Sequence, residues 1–193
     1  MYSDKYKLIL GSKSPRRSQL LDHAGFSYEK RVIETDENYP SDLPIPDVAE
    51  YIARAKAAAH KGKLASDELL LTADTIVVYE NKVYGKPRSE QEAIDTILLM
   101  ENRVHLVYSG VCLMTNENLS SFTELSEVKF GHITENEAKT YVEKFKPLDK
   151  AGSYGIQDWI GFVRIEWIKG SYTNILGLPL SQTYDRLVHS SYK

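Results

Sequence analysis

Apolar residues along this chain come by turns in short unbroken runs and at helical spacing, an alternation that predicts strands and helices following one another in an α/β chain. Lys7–Gly11 reads as a buried strand, and a helix over Pro15–Ala24 buries Leu20 and Leu21 before Gly25 stops it. Phe26–Ile33 predicts a second strand. Pro40, Pro44 and Pro46 stiffen the loop that follows, and Pro46 opens an alanine-rich helix through His60. Leu69–Tyr79 (LLLTADTIVVY) is the most apolar run and predicts a central strand. Asn81-Lys82 turns the chain into a short strand that ends at Gly85-Lys86-Pro87. Ser89 with Glu92, and Thr134 with Glu137, have the spacing of capping boxes for helices running to Met100 and Phe145. Val104–Met114 and Phe122–Phe130 predict long strands joined around Asn116-Glu117-Asn118, Phe162–Ile168 a further strand, and Leu180–His189 a closing helix. Helical crossovers mixed with hairpin strands predict a mixed sheet flanked by helices.

Two positions break this pattern. Ser14 is a good N-cap and Pro15 suits the first helical position, so Arg16 and Arg17 fall among free backbone N–H groups whose field is already positive. Cations there cost about a few tenths of a kcal/mol each. A phosphate would reverse the sign by accepting from the N–H groups and the guanidinium forks together, whereas a capped surface helix with solvated arginines is the plain alternative. The second break is Asp74, in the middle of the most apolar run. An uncompensated carboxylate there costs about several kcal/mol, so it needs a partner, a metal or a raised pKa unless it caps a strand end.

The chain has 193 residues, 26% charged and 42% apolar, with a net charge of −3, which suits one ordinary globular domain and argues against bulk nucleic-acid affinity. A local cationic pocket for a small polyphosphate remains compatible with that balance. Cys112 is the single cysteine, so a reducing, cytoplasmic location is expected. The N-terminal apolar run is too short for a signal peptide, and no stretch of 18 apolar residues occurs. The five histidines are scattered and suggest no zinc-type ligand set.

Other residues attract attention only in combination. Glu37 lies in an acidic run, Lys56 on an alanine-rich helix and Lys86 in a turn, each compatible with a solvated surface. Lys150 precedes two glycines in a loop that would let backbone approach a ligand, and Gln157 carries an amide able to donate and accept at once, as reading a base edge requires.

Seven ordered blocks carry a resemblance: Ser12-Lys13-Ser14-Pro15-Arg16-Arg17 with Leu20-Leu21, Asp36-Glu37, Lys56-Ala57, Ala73-Asp74-Thr75, Gly85-Lys86-Pro87, Asp149-Lys150-Ala151-Gly152-Ser153-Tyr154-Gly155-Ile156-Gln157, and Gly170-Ser171-Tyr172 through Gly177-Leu178-Pro179-Leu180. In them the chain resembles the Maf family of nucleotide pyrophosphatases over nearly its whole length. The resemblance implies one domain over residues 1–193, with a mixed, curved sheet and two lobes around a deep cleft. It also implies hydrolysis of nucleoside triphosphates to monophosphate and pyrophosphate, assisted by Mg²⁺ or Mn²⁺, in a cytoplasmic homodimer. The block ending in Gln157 is similar to the branch acting on dTTP and UTP; the branch acting on 7-methyl-GTP lacks that glutamine in this context. One departure is Gly11, where the family often has alanine, and a local backbone effect is expected from it.

The residues suit that chemistry. Ser12, Arg16, Arg17, Lys56 and Lys86 would contact the triphosphate, and Glu37 and Asp74 would hold the metal. Asp74 would also take the proton from water, Lys86 would alternatively pair with the two acids in the empty site, and Thr75 would help to orient Gln157 against the base. Two other classes stay open: a nucleotide-binding regulator of septum formation without turnover, and a module that binds phosphosugars or anions at the helix N-terminus alone. The first is disfavoured by Asp74 and Glu37, and the second leaves Asp74 and Gln157 unexplained.

Overall fold

The computed structural model describes residues 6–189; residues 1–5, part of the stretch read above against a signal peptide, lie outside it. In chain order the elements are β1 (Lys7–Leu10), α1 (Pro15–His23), β2 (Tyr28–Lys30), α2 (Ile45–Ala58), β3 (Glu68–Tyr79), β4 (Lys82–Tyr84), α3 (Glu90–Leu99), β5 (Val104–Met114), β6 (Leu119–Phe130), α4 (Glu135–Phe145), α5 (Trp159–Arg164), β7 (Ile165–Lys169), α6 (Tyr172–Ile175) and α7 (Leu180–His189). Among the described residues the strands form one open sheet in the order β2-β1-β3-β5-β6-β7, with β4 paired to β3. β1 is parallel to β2 and to β3, whereas β3–β4 and β6–β7 are antiparallel, so the α/β fold with a mixed sheet is as expected. No helix among the described residues is long and apolar enough to cross a membrane.

Three strands differ from the expected bounds by more than a residue, β6 beginning at Leu119 rather than at Phe122. β2 stops at Lys30 because its ladder runs Leu8↔Tyr28 to Leu10↔Lys30 and β1 ends there. The strand expected from Phe162 begins only at Ile165, since residues 159–164 coil into α5. Asp158 opens that turn by accepting from the N–H groups of Gly161 (3.0 Å) and Phe162 (3.3 Å). Gly161 lies so close to the Ile156 carbonyl that a Cβ would sit 1.9 Å from its oxygen. Phe162 itself is 77% exposed, so its apolar character was no sign of burial.

The caps follow the spacing rules unevenly. At Thr134 both halves of the box form: the hydroxyl accepts from Glu137 N–H at 3.3 Å, and the Glu137 carboxylate accepts from Thr134 N–H at 2.9 Å. At Ser89 only the first half forms, because the Glu92 carboxylate accepts from Arg88 N–H instead, at 2.8 Å. Ser14 holds the N-cap position of α1 with Pro15 behind it, but its hydroxyl makes no cap bond.

The chain divides into two compact units. One takes the chain up to Asp74, Ser109–Glu124 and everything from Gly177 on; the other takes Thr75–Tyr108 and Leu125–Leu176. The first packs Ile9, Ala53, Leu70, free Cys112 and Met114 into a core where α2 covers the parallel strands. The second buries Val77, Ile97, Phe130, Tyr141, Tyr154 and Ile160, with α3 and α4 in contact.

Candidate active site

The first unit gathers most of the charged residues expected to act. α2 is aligned on β3 by Thr72, whose hydroxyl donates to the Ala53 carbonyl at 2.7 Å. Side chains alternate along a strand and recur every three or four residues on a helix, so that bond brings the position two residues beyond Thr72 toward the position three beyond Ala53. Those positions are Asp74 and Lys56. The Lys56 ammonium donates to Asp74 Oδ1 at 2.6 Å and to Glu37 Oε1 at 2.7 Å. Lys56 sits in the last turn of α2, where the helix field favours a cation, and Asp74 thereby gains the partner that its apolar strand demands. Glu37 arrives from the loop after β2, where Asp36 accepts the backbone N–H of Asn38 at 3.0 Å in an Asx turn. The sequence did not single out Lys56 as the partner that pairs with both acids.

Arg17 and Ser12 form the second half of this unit. The Arg17 guanidinium is buried, its Nε donating to the Gly177 carbonyl at 2.8 Å and its Nη1 to Ser12 Oγ at 3.0 Å. Ser12 Oγ also accepts from Ser14 N–H at 3.2 Å, so Ser12, rather than Ser14, organises the start of α1. Burial lowers the Arg17 pKa, while the charges of Asp74 and Glu37 oppose that shift. The two neighbours in sequence therefore differ: Arg17 is built into the fold, and Arg16 is only half-buried. The plain reading of the pair as solvated arginines fails for Arg17.

Glu37 and Asp74 offer hard carboxylate oxygens converging on one point, marked by the Lys56 nitrogen. That donor set fits Mg²⁺ or Mn²⁺ with phosphate and water oxygens as the remaining ligands. Among the described residues no group of three or more His, Cys, Asp or Glu side chains is placed to hold a metal by itself.

The second unit holds Thr75, Lys86 and Gln157. Thr75 follows Asp74 on β3 and so points to the other face of the strand. Lys86 is exposed in the turn after β4, and the carbonyl of its neighbour Gly85 accepts from Gly152 N–H at 3.1 Å. Gly152 has φ +67° and would drive a Cβ to within 2.7 Å of Val77, so the glycine expected to admit a ligand is required by backbone conformation and packing. Lys150 pairs with Asp149 at 2.8 Å and lies 4.0 Å from Asp158. Gln157 Oε1 is buried and accepts no hydrogen bond from the described residues.

Family comparison bears on the same residues. A model described as Maf-like protein matches residues 7–190. The chain belongs to the Maf family. Among Maf relatives, a dTTP/UTP pyrophosphatase of Parabacteroides distasonis is 45% identical over 186 residues, 96% of this chain and 96% of the relative. Proteins of the same name from Bacteroides thetaiotaomicron and Flavobacterium johnsoniae are 44% and 39% identical, each over 95% of this chain and 96% and 94% of their own lengths. In this Maf chain Gly11 has a packing consequence rather than the expected backbone one: a Cβ there would meet the Thr72 methyl at 2.8 Å.

Three supporting residues were not found from sequence. Tyr141 Oη accepts from Gly155 N–H at 3.0 Å and donates to Asp158 Oδ2 at 2.7 Å, closing the turn that contains Gln157. His105, fully buried, contacts Tyr154 Oη through Nε2 at 2.7 Å, and burial holds its pKa down to about 3. The His60 ring contacts the carbonyls of Lys56 (3.0 Å) and Arg31 (2.9 Å), at the end of α2. Each looks like an ordinary aromatic or scattered histidine in one dimension, and only the spacing Lys56/His60 (i, i+4) offers a local signal.

Proposed function

We propose that the chain is a nucleoside triphosphate pyrophosphatase that hydrolyses dTTP and UTP, or modified pyrimidine relatives, to the monophosphate and pyrophosphate. The observation that carries this reading is the Lys56 ammonium held jointly by Glu37 and Asp74, with the buried Arg17 electrostatically linked to both acids. Breaking an α–β phosphoanhydride asks for cations on the phosphate oxygens and a base for water, and this unit contains both. Ser12, Arg16, Arg17, Lys56 and Lys86 bind the triphosphate; Asp74 accepts the water proton. Glu37 and Asp74 hold the divalent ion, which when bound neutralises charge on the phosphates. Gln157 reads the base through its amide, whose oxygen can accept from the N3–H of thymine or uracil while its NH₂ donates to O4. The naming of the relatives as dTTP/UTP pyrophosphatases supports the choice of substrate. We extend the reading to a cytoplasmic homodimer, an extension that the family resemblance and the unpaired, buried Cys112 support.

The test is pyrophosphate release from dTTP, UTP, dCTP, CTP and 7-methyl-GTP with Mg²⁺ or Mn²⁺. Expected is a preference for dTTP and UTP over the cytosine nucleotides of about one to two orders of magnitude in kcat/KM, the ratio implied by mispairing a fixed amide at ~1–3 kcal/mol. Release from none of them overturns the enzyme reading, and equal rates overturn the role of Gln157.

A further inference from the structure

We propose that Lys56 is a built-in counter-ion that keeps the Glu37–Asp74 pair closed to a free divalent cation and yields it only when nucleotide phosphates take the ammonium, so that metal and nucleotide bind with positive coupling. The proposal rests on the reading of Glu37 and Asp74 as the metal-holding pair. One nitrogen occupies the point on which both carboxylates converge, at 2.7 Å from Glu37 and 2.6 Å from Asp74. A cation bound by both oxygens has to displace it. The Lys56 side chain is 16% exposed and the Asp74 side chain 12%, with Glu37 reaching them from the surface at 45%, so the contest at Asp74 takes place largely out of bulk water, where like charges repel more strongly.

A second cation sharpens the effect. Arg17 is anchored to the Gly177 carbonyl and to Ser12, and its charge acts on Asp74 and Glu37 from a buried position. Without nucleotide, Lys56 and Arg17 already offset the two carboxylates, and Arg16 adds positive charge beside Arg17. A divalent ion arriving alone adds two positive charges where cations already gather, whereas one arriving with a triphosphate, which carries about four negative charges, is attracted rather than repelled. Lys56 is the member able to change partners, because its ammonium ends a flexible stem whereas the Arg17 fork is tied on two sides. The phosphates draw Lys56 off, the carboxylates turn to the metal, and by linkage the metal favours the nucleotide equally. The enzyme consequently takes up the metal–nucleotide pair and leaves free divalent ions in solution.

Mn²⁺ binding to nucleotide-free protein, followed by the electron paramagnetic resonance of free Mn²⁺, tests this directly. Lys56→Met, of similar length without the charge, is expected to bind Mn²⁺ at least about tenfold more tightly than the wild type, a conservative figure for losing a unit charge at contact distance. Lys56→Arg, which keeps the charge, is expected to stay as weak as the wild type. Unchanged or weaker Mn²⁺ binding by Lys56→Met overturns the proposal. So does a gain that survives Asp74→Asn in the Lys56→Met background, because the ion then sits elsewhere, and that result removes the metal-holding reading as well. Absence of the gain, with pyrophosphate release still abolished by Asp74→Asn in the otherwise wild-type protein, sinks the counter-ion role alone. If Lys56→Met does not fold in metal-free buffer, its melting is followed with added Mn²⁺: rescue of a cooperative transition supports the proposal, and no rescue counts against it.

Discussion

At the scale of single residues, a carboxylate in an apolar strand is tolerated because one ammonium reaches it. Asp74 lies on the buried strand β3, with Lys56 2.6 Å away. Asp74→Asn keeps the shape and removes the charge, so turnover measured as pyrophosphate release should fall by at least about a hundredfold, as losses of a general base do. Wild-type turnover in that variant would show that another group takes the proton. The arginine pair separates into two roles. Arg16→Ala should raise the KM for triphosphate while leaving the melting temperature unchanged or higher, since the cation opposed the helix field when no anion was bound. Arg17→Ala removes bonds to the Gly177 carbonyl and Ser12 from a buried site and should lower the melting temperature as well. Equal stability losses from the two substitutions would contradict this division.

At the scale of elements, the turn that carries Gln157 is held from α4. Tyr141 receives the Gly155 N–H and donates to Asp158, one residue on either side of the Ile156-Gln157 pair. Tyr141→Phe keeps the ring against Phe145, with which it stacks at 5.1 Å, and removes only the hydroxyl. Discrimination between dTTP and dCTP should then narrow by about fivefold, the equivalent of ~1 kcal/mol of lost hydrogen bonding, with kcat for dTTP less affected. Gln157→Ala sets the floor of that comparison. A full preference retained in Tyr141→Phe but lost in Gln157→Ala would mean that the turn holds its shape without the tyrosine.

At the scale of the whole molecule, acid should destabilise the protein in two stages. His105 is buried neutral with its pKa near 3 against an ordinary 6.5, so its contribution is complete above pH 6.5 and is lost as pH falls toward 3, where the unfolded chain takes up the proton first. Glu68 accepts both Arg31 guanidinium nitrogens at 2.7 Å, and its pKa is held at about 2 against 4.5. That contribution is present above pH 4.5 and disappears as pH falls toward 2. Urea midpoints measured from pH 7.5 downward should therefore decline below about pH 6.5 and more steeply below about pH 4.5. Glu68→Gln should remove the lower stage and His105→Gln the upper. A single transition unaffected by either substitution would place the acid sensitivity elsewhere.

How far all this could be read in one dimension depends on the range of the forces involved. Strand and helix identity follows from patterns within about a dozen residues, so β1, α1, β3, β5, α4 and α7 were legible, as were Asp74 and the arginine pair, whose anomalies are local. α5 was not, because the apolar run from Phe162 carries no mark of the turn that the Asp158 carbonyl and Gly161 impose before it. Seven short blocks in fixed order sufficed to indicate the family. What they left open was the pairing among distant residues: that Lys56 bridges the two acids, that Arg17 is buried and anchored to Gly177, and that Tyr141 and His105 support the loop before Gln157. Those choices depend on separations such as the 160 positions between Arg17 and Gly177. A charge finds its partner only after helices and strands have packed, because burial first makes an unpaired charge costly and the register of packing then selects which partner lies within reach.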